Sequence, residues 1–465
     1  MADYDIAVIG AGAAGLSVTY GAARLGLRVA LIERGRMGGD CLNVGCVPSK
    51  ALLAAAHAAR DARRAGRFGV RLGAAEIDWA GVRAHVHGAI AAIEPVDSAE
   101  RYAGLGATVL AGVARFVGPG TLSVDGRRLT ARRIVVAAGS RPAVPSIPGL
   151  EAVPYVTNET IFDLAERPAH LLILGGGAIG LEMAQAHACL GCQVTVIEAG
   201  RIAAREDAEL VDALRASLTA DGVTLLEDAA VVSAAPGPML TLADGRRIAG
   251  SHLLVATGRA ASVEELGLEA GGVAFGPRGV ATDAGLRSVS NRRVFAAGDI
   301  ADPAGIGPRA YTHAAGYHAG IIIRRAVFRL PARLDYRALP RVIYTAPELA
   351  QVGLTAAKAE GATVLRFPLA ENDRAIAEAD TVGLVKLVVA GGRVVGASIL
   401  APHAGEMIGL CGLAIARRLS PAALAQLILP YPTRAEAVKR AAGSLYAERL
   451  FAPHTRRIAR LLARV

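Results

Sequence analysis

Short apolar runs, glycine turns and alanine-rich amphipathic stretches follow one another in a repeating order along this chain. At the amino-terminal end, DIAVIGAGAAGLSVTYGAARLGLRVALIERG predicts a strand, a glycine turn, a helix and a second strand ending in Glu33. This is the pattern of a dinucleotide-binding βαβ unit. Gly10 supplies the tight turn, Gly12 lets a pyrophosphate approach the backbone, Gly15 lets helix pack on strand, and Glu33 stands where a carboxylate accepts from ribose hydroxyls. A second copy starts at His170, HLLILGGGAIGLEMAQAHACLGCQVTVIEAG, with Gly175, Gly177 and Gly180 in its turn and Glu198 ending its second strand. Two such units imply two nucleotide cofactors; the alternative is that one copy is structural. Between them, ARRIVVAAGSRPAVPSIPG reads as a strand running into Gly139 and a proline-rich crossover, which sets a boundary near residue 150. HLLVATGRA then repeats the strand and glycine turn through Gly258, and NRRVFAAGDIAD ends a further strand at Gly298 and Asp299. From about Asp335, strand-like runs alternate with helices, predicting a third, α+β domain. The fold expected is α/β, with two three-layer dinucleotide-binding domains, residues 1–150 with 266–334 and residues 151–265, followed by a carboxy-terminal domain, 335–465.

Candidate chemistry concentrates in GGDCLNVGCVPSK, Gly38 to Lys50, where Cys41 and Cys46 are five positions apart. In a regular helix such residues are separated by about 7.5 Å of rise and about 140° of turn. A disulfide brings its Cα atoms to about 4.4 to 6.8 Å, so a bond here needs an irregular backbone, which Asn43 and Gly45 tolerate. The alanine-rich run after Pro48 reads as the following helix, placing Cys46 at a helix N-terminus with Lys50 one turn on. Both features favour a thiolate. Two buried, inert cysteines are the competing reading.

Composition narrows the classes. The chain has 465 residues, of which 53% are hydrophobic, without an apolar run of membrane-spanning length. The start MADYDIAVIG lacks the basic segment and cleavage site of a signal peptide, and five cysteines are too few for a secreted disulfide scaffold, so a reducing, cytoplasmic setting is expected. A net charge of +10 raises the question of nucleic acid, but no Lys/Arg run with interleaved aromatics occurs and aromatics are only 4%. The charge reads as a diffuse, arginine-rich solvated surface, with attraction of an anionic substrate as the functional alternative. Lys50 is one of only four lysines, with Lys358, Lys386 and Lys439, which hints at a compact point charge beside the cysteines. Cys189 and Cys192, read as lying inside the second helix, and Cys411 are expected to be core thiols. The basic amphipathic tail TRRIARLLARV suits a docked or solvated terminal helix, or a contact with lipid or a partner.

In order, GAGAAG, GGDCLNVGCVPSK, VVAAGSRP, GGGAIGLE, ATGR, AAGD, PRVIYTAPELAQVG and GASILAPHAGEMI resemble the class I pyridine nucleotide-disulfide oxidoreductases over essentially the whole chain. The resemblance implies FAD in the amino-terminal domain, a nicotinamide nucleotide in the central one, and a homodimer formed through the last. FAD would meet Gly10, Gly12, Ala14, Gly15, Glu33, Gly39, Asp40, Cys41, Lys50, Ala114, Ala138, Gly139, Gly298 and Asp299, the last through a flavin side-chain hydroxyl. The nicotinamide nucleotide would meet Gly175, Gly177, Ile179, Gly180, Glu198 and Gly258. Cys46 would be the thiolate facing the flavin and Cys41 the thiol meeting substrate, with Lys50 and Glu182 paired nearby. Glu198 favours NADH by repelling a 2′-phosphate, although Arg201 and Arg205 could offset it and admit NADPH. No metal site, membrane or nucleic-acid partner is expected.

One position departs from the disulfide-reducing members. Where they carry a His-Pro-Thr stretch and a glutamate, this chain reads LPYPTRAEAVKR, with Tyr431 in the place of the histidine and Glu436 in that of the acid. Tyrosine, with a reference pKa of about 10, is a poor base near neutrality. Tyr431 and the segment Glu371 to Gly383 resemble mercuric reductases, but the vicinal cysteines and amino-terminal metal-binding domain of those enzymes are not in this sequence. Ala178 stands where glutathione reductases place a tyrosine. The first expectation is therefore an NAD(P)H-dependent flavoenzyme reducing a small disulfide or thiol adduct through Cys41 and Cys46. The alternatives are a metal-ion or quinone reductase, and a redox-sensing flavoprotein with incidental turnover.

Overall fold

The computed structural model describes residues 2–73 and 75–464, except for the side chains of Glu448 and Arg449. Strands β1 (Tyr4–Ile9) and β2 (Val29–Glu33), joined through helix α1 (Ala13–Arg24), run parallel with Ile6 opposite Val29. Strand Ala107–Ala111 extends this parallel sheet beyond β2, and Arg127–Val136 then Val294–Ala296 extend it beyond β1. The central stretches of these strands are apolar because both faces are covered there: Ala7, Val8, Leu31, Ile134 and Val135 are completely buried. Strand Arg127–Val136 also closes an antiparallel meander with Thr121–Val124 and Ala114–Gly118.

The central region repeats this plan. Its parallel sheet runs Val223–Leu226, Gln193–Ile197, His170–Leu174, His252–Val255 and Tyr155–Val156, and a meander follows over Val231–Ala235, Met239–Leu242 and Arg247–Ala249. Two short antiparallel strands, Ser140–Pro142 and Arg259–Ala261, cross between the regions. The last region is an antiparallel sheet in the order Pro340–Ile343, Glu348–Gly353, Arg393–Ala401, Leu384–Ala390, Thr363–Pro368, packed under helices Ala404–Ala416 and Glu436–Leu450. It is pinned to the central region by buried Lys386, whose Nζ lies 2.7 Å from Asp207 Oδ1. Removing one partner of such a buried pair costs about 3 to 5 kcal/mol. The architecture is the two-nucleotide-domain α/β fold with a carboxy-terminal α+β domain.

The expected CxxC within one helix is corrected. Helix Ala178–Cys189 ends at Cys189, and Gly191, with φ +88°, turns the chain so that Cys192 lies outside the helix. Both thiols are buried, and burial pushes each up to about 11; Cys411, likewise buried, is pushed up to about 12. The tail forms helix Pro453–Leu462, which buries none of its residues in the single chain and leaves Ile458, Leu461 and Leu462 exposed. Val465 lies outside the described residues. Among those residues, no helix is long and apolar enough to cross a membrane.

Candidate active site

The first glycine turn is closed against its surroundings. A Cβ on Gly10, where φ is +102°, would lie 2.5 Å from the Ala137 carbonyl oxygen, and one on Gly15 would lie 1.8 Å from the Gly10 oxygen. No side chain caps α1 at Gly12, which leaves its first-turn amides available to an anion. Glu33 ends β2 and folds back: Oε2 accepts from the Ala11 N–H at 2.6 Å and Oε1 from that of Gly35 at 2.8 Å. A carboxylate with two amide donors keeps lone pairs for ribose hydroxyls. Ala14 is buried in α1, Ala138 is half-buried, and Gly139 turns with φ +68°. Ala114 begins a strand with its side chain in the core, two residues past Gly112, whose N–H donates to the Glu33 carbonyl at 2.8 Å.

Over this turn lies the cysteine segment. Helices α2 (Gly39–Asn43) and α3 (Cys46–Arg64) are broken at Val44 and Gly45, where the backbone leaves helical geometry. Gly45 is confined because a Cβ would meet the Asp40 carbonyl oxygen at 2.8 Å. Gly39, with φ +59°, sits so close to the turn that its Cβ would meet the Gly12 Cα at 2.6 Å. Cys46 opens α3, as the sequence implied, with the helix starting ahead of Pro48. The two thiols are unbonded, and Cys41 donates to Cys46. Chiefly through that hydrogen bond, with help from the Thr312 hydroxyl at 3.2 Å and the charge of Lys50, Cys46 is lowered to about 6. Cys41 keeps the shared proton and, being also desolvated, is pushed far above the ordinary thiol range.

Lys50 and Glu182, distant in sequence, meet as expected. Lys50 Nζ lies 2.8 Å from Glu182 Oε2 and 4.3 Å from the centre of the Tyr344 ring, while Glu182 Oε1 accepts from the Tyr344 N–H at 3.0 Å. Glu182 is buried on helix Ala178–Cys189, so the central region delivers it to the cysteine helix α3.

At the opposite rim, Gly298 has φ +74° and donates to buried His318 Nδ1 at 3.0 Å. Asp299 accepts from the Ser140 hydroxyl at 2.6 Å, and burial holds its carboxyl above the usual range. Arg259 lies across the rim, donating to the Ser140 hydroxyl at 2.6 Å and pairing with Asp40. Thr312, Tyr344, Ser140, Arg259 and His318 were missed in the sequence reading. Arg259 and Ser140 stand inside the ATGR and VVAAGSRP segments and could have been found there; Thr312, Tyr344 and His318 have no local signal.

The second glycine turn repeats the first atom for atom but is uncovered. Cβ atoms on Gly175 and Gly180 would lie 2.5 Å from the Ala256 oxygen and 2.0 Å from the Gly175 oxygen. Glu198 accepts from the N–H groups of Gly176 at 2.7 Å and Gly200 at 3.0 Å. Nothing lies within 4 Å of a Cβ on Gly177 or Gly258, and Ile179 is 38% exposed. Tyr431 and Glu436 are not brought to the cysteines of their own chain. Tyr431 is 70% exposed and donates to Asp373 Oδ2 at 3.0 Å, a bond that raises its pKa; Glu436 accepts from the Thr433 N–H at 3.4 Å.

A two-unit nucleotide fold with a thiol pair between the units defines a flavin- and pyridine-nucleotide-dependent oxidoreductase. The sequence pattern described as pyridine nucleotide-disulphide oxidoreductase matches residues 4–319, and that of the dimerisation domain of the same family matches residues 339–442. The chain belongs to this family, whose members are FAD-dependent and take electrons from NAD(P)H. A mercuric reductase of Streptomyces lividans is 38% identical over 461 residues, covering 94% of this chain and 95% of that protein. A dihydrolipoyl dehydrogenase of Geobacillus stearothermophilus is 34% identical over 462 residues, with 94% of each chain covered. The Cu(II) complex of the HOCl-induced flavoprotein disulfide reductase RclA from Escherichia coli superposes with a TM-score of 0.83 at 26% identity, covering 94% of this chain and 98% of that one. The uncapped α1, the close glycine approaches and the free lone pairs of Glu33 fit FAD.

Proposed function

We propose that the chain reduces a small disulfide or thiol adduct by exchange at Cys41 and Cys46. The observation that carries this reading is the setting of the thiol pair: Cys46 opens α3 with the Thr312 hydroxyl at 3.2 Å and the Lys50–Glu182 ion pair one turn on, surroundings that favour its thiolate. FAD, when bound, supplies the two-electron link between the nicotinamide and the disulfide. The chain's own residues do the rest. Gly10, Gly12, Ala14, Gly15 and Glu33 hold the pyrophosphate and ribose, with Gly39, Ala114, Ala138, Gly139, Gly298 and Asp299 around them. Thr312 and Lys50 stabilise the Cys46 thiolate, and the Glu182 carboxylate keeps the Lys50 ammonium in place. As Cys41 attacks one sulfur of the outside disulfide, its proton passes by way of the Cys46 sulfur to the other, which leaves as a thiol. The Cys46 thiolate then attacks Cys41 in the mixed disulfide, releasing the second half as a thiolate and closing the internal disulfide. The exposed Tyr431, with Glu436 near it, serves the leaving thiolate from the partner subunit, since neither reaches the cysteines of its own chain.

Gly175, Gly177, Ile179, Gly180 and Gly258 receive the nicotinamide nucleotide, and Glu198 selects NADH. A second substrate reading, reduction of a metal ion carried as a thiol adduct, is favoured by Tyr431 and by the mercuric reductase relatives. Oxidation of NADH and NADPH should be followed against lipoamide, small disulfides, mercury(II) and quinones. Disulfide turnover abolished in Cys41→Ser supports the proposal; turnover confined to quinones and unaffected by that substitution sinks it. Loss of metal reduction but not disulfide reduction in Tyr431→Phe assigns the tyrosine to the second reading.

A further inference from the structure

The arginines that read as diffuse in sequence converge at the end of the first sheet away from its glycine turn. A cavity of about 870 Å³ there is lined by Arg133, Arg287, Arg292, Arg293, Arg329 and Arg333. They come from strand Arg127–Val136, from the segment before strand Val294–Ala296, and from the segment after helix Thr312–Ala326. Among the described residues, none of the six has a carboxylate within ion-pair distance, although many other arginines, Arg28, Arg141, Arg215, Arg325 and Arg337 among them, are paired. The one acid of the cavity, Asp283, is taken by a seventh arginine, Arg325, at 3.0 Å. An adjoining cavity of about 1090 Å³ shares Arg133, Arg293 and Arg329; its acid, Asp5, is held by Arg28 at 3.2 Å and Arg132 at 3.6 Å.

Two of these guanidinium groups are incompletely satisfied. Nε of Arg133 and Nε of Arg287 are buried without a hydrogen-bond partner. Burial, then the neighbouring arginines, lower the pKa of both groups. Gathering unpaired cations in a hollow costs stability, so the arrangement calls for a ligand that supplies the missing negative charge. The lining contains no aromatic ring, so nothing there would stack on a base. Guanidinium forks match phosphate oxygens in pairs, and the volume is that of a small-molecule site.

We propose that this cavity binds a compact oligophosphate, separately from the nucleotide sites at the other end of the sheet. Arg133 and Arg287 form its floor, and Arg292, Arg293, Arg329 and Arg333 close on the anion from the rim. This site is independent of which substrate the thiol pair reduces.

Inorganic tripolyphosphate titrated into the flavin-loaded protein by calorimetry is expected to bind saturably, once per subunit, and more weakly as salt is raised. The double variant Arg329→Glu/Arg333→Glu should weaken binding roughly tenfold or more. Arg456→Glu/Arg457→Glu, the same change of net charge on the tail helix, should leave it nearly unaltered. Equal weakening in both variants would show attraction by overall charge alone and overturn the proposal, as would the absence of saturable binding. Tighter binding of short duplex DNA in competition would assign the surface to nucleic acid and overturn it too. Flavin absorbance and unfolding temperature check the variants. In the wild-type protein, tripolyphosphate should protect Arg292, Arg293 and Arg329 from phenylglyoxal as mapped by mass spectrometry; unchanged labelling overturns the proposal without any variant.

Discussion

The two nucleotide units of this chain solve the same problem with the same atoms and differ only in what covers them. Each bends at a glycine whose Cβ would lie 2.5 Å from a carbonyl oxygen of the neighbouring strand, and each folds a terminal glutamate back onto the turn amides. The first then lies beneath Gly39 and the cysteine helices, whereas a Cβ on Gly177 of the second would meet nothing within 4 Å outside its own helix. Recognition of a dinucleotide is thus a property of the turn, and how long the dinucleotide stays is a property of the cover. A covered unit suits a resident flavin, and an open one suits a nicotinamide nucleotide that must leave after each turnover. Under the proposed function the cover of the first unit is also the segment of the thiol pair, which would bring that pair to the flavin without a separate element.

The sharpest test of that economy is Cys46→Ser. Disulfide turnover is expected to fall by about a thousandfold or more, with flavin content unchanged and the long-wavelength absorbance of the two-electron-reduced protein lost. Retention of that band would remove Cys46 from its assigned role. Next, Gly39→Ala forces a left-handed residue at about 1 to 2 kcal/mol and drives a Cβ toward the Gly12 Cα at 2.6 Å. Flavin retention through gel filtration, read from the visible-to-ultraviolet absorbance ratio, should weaken at least roughly tenfold. Ile179→Ala on the open unit should leave the flavin in place and raise only the KM for the nicotinamide nucleotide; flavin loss there would break the comparison. Glu198→Gln should lower the NADH to NADPH ratio of kcat/KM by roughly tenfold, and an unchanged ratio would place selectivity elsewhere.

The smallest effect expected is a shift in pH dependence. Because the Cys46 pKa is lowered, its thiolate is present above about 6 and lost as pH falls through that value. Thr312→Val removes a hydrogen bond from the thiolate and should move the midpoint upward by about one pH unit or less. A downward move would mean that the hydroxyl favours the thiol instead.

Much of this was legible in the sequence because its chemistry is local. The glycine spacing, the strand-terminal glutamates and the break at Gly45 are consequences of backbone geometry over a few residues. Where reading stopped, the partners came from far along the chain. Thr312 reaches Cys46 only because helix Thr312–Ala326 packs against α1, and Tyr344 reaches Glu182 only through the carboxy-terminal domain. Cys192 was misplaced because an apolar run does not mark where a helix ends; the turn at Gly191 does.

The charge illustrates the same division most clearly. Composition established a net charge of +10 with no Lys/Arg run interleaved with aromatics, a pattern that reads as diffuse charge. Six arginines that no window of sequence brings together nonetheless line one hollow, because strands and a helix from separate segments end at the same edge of one sheet. The sequence alone determined the two nucleotide units, the cysteine segment and the kind of chemistry they serve, since each depends on spacing within a single element. Tertiary structure decided which unit is covered, which distant side chains stand beside the thiol pair and where the charge gathers, since each depends on distances that only packing creates.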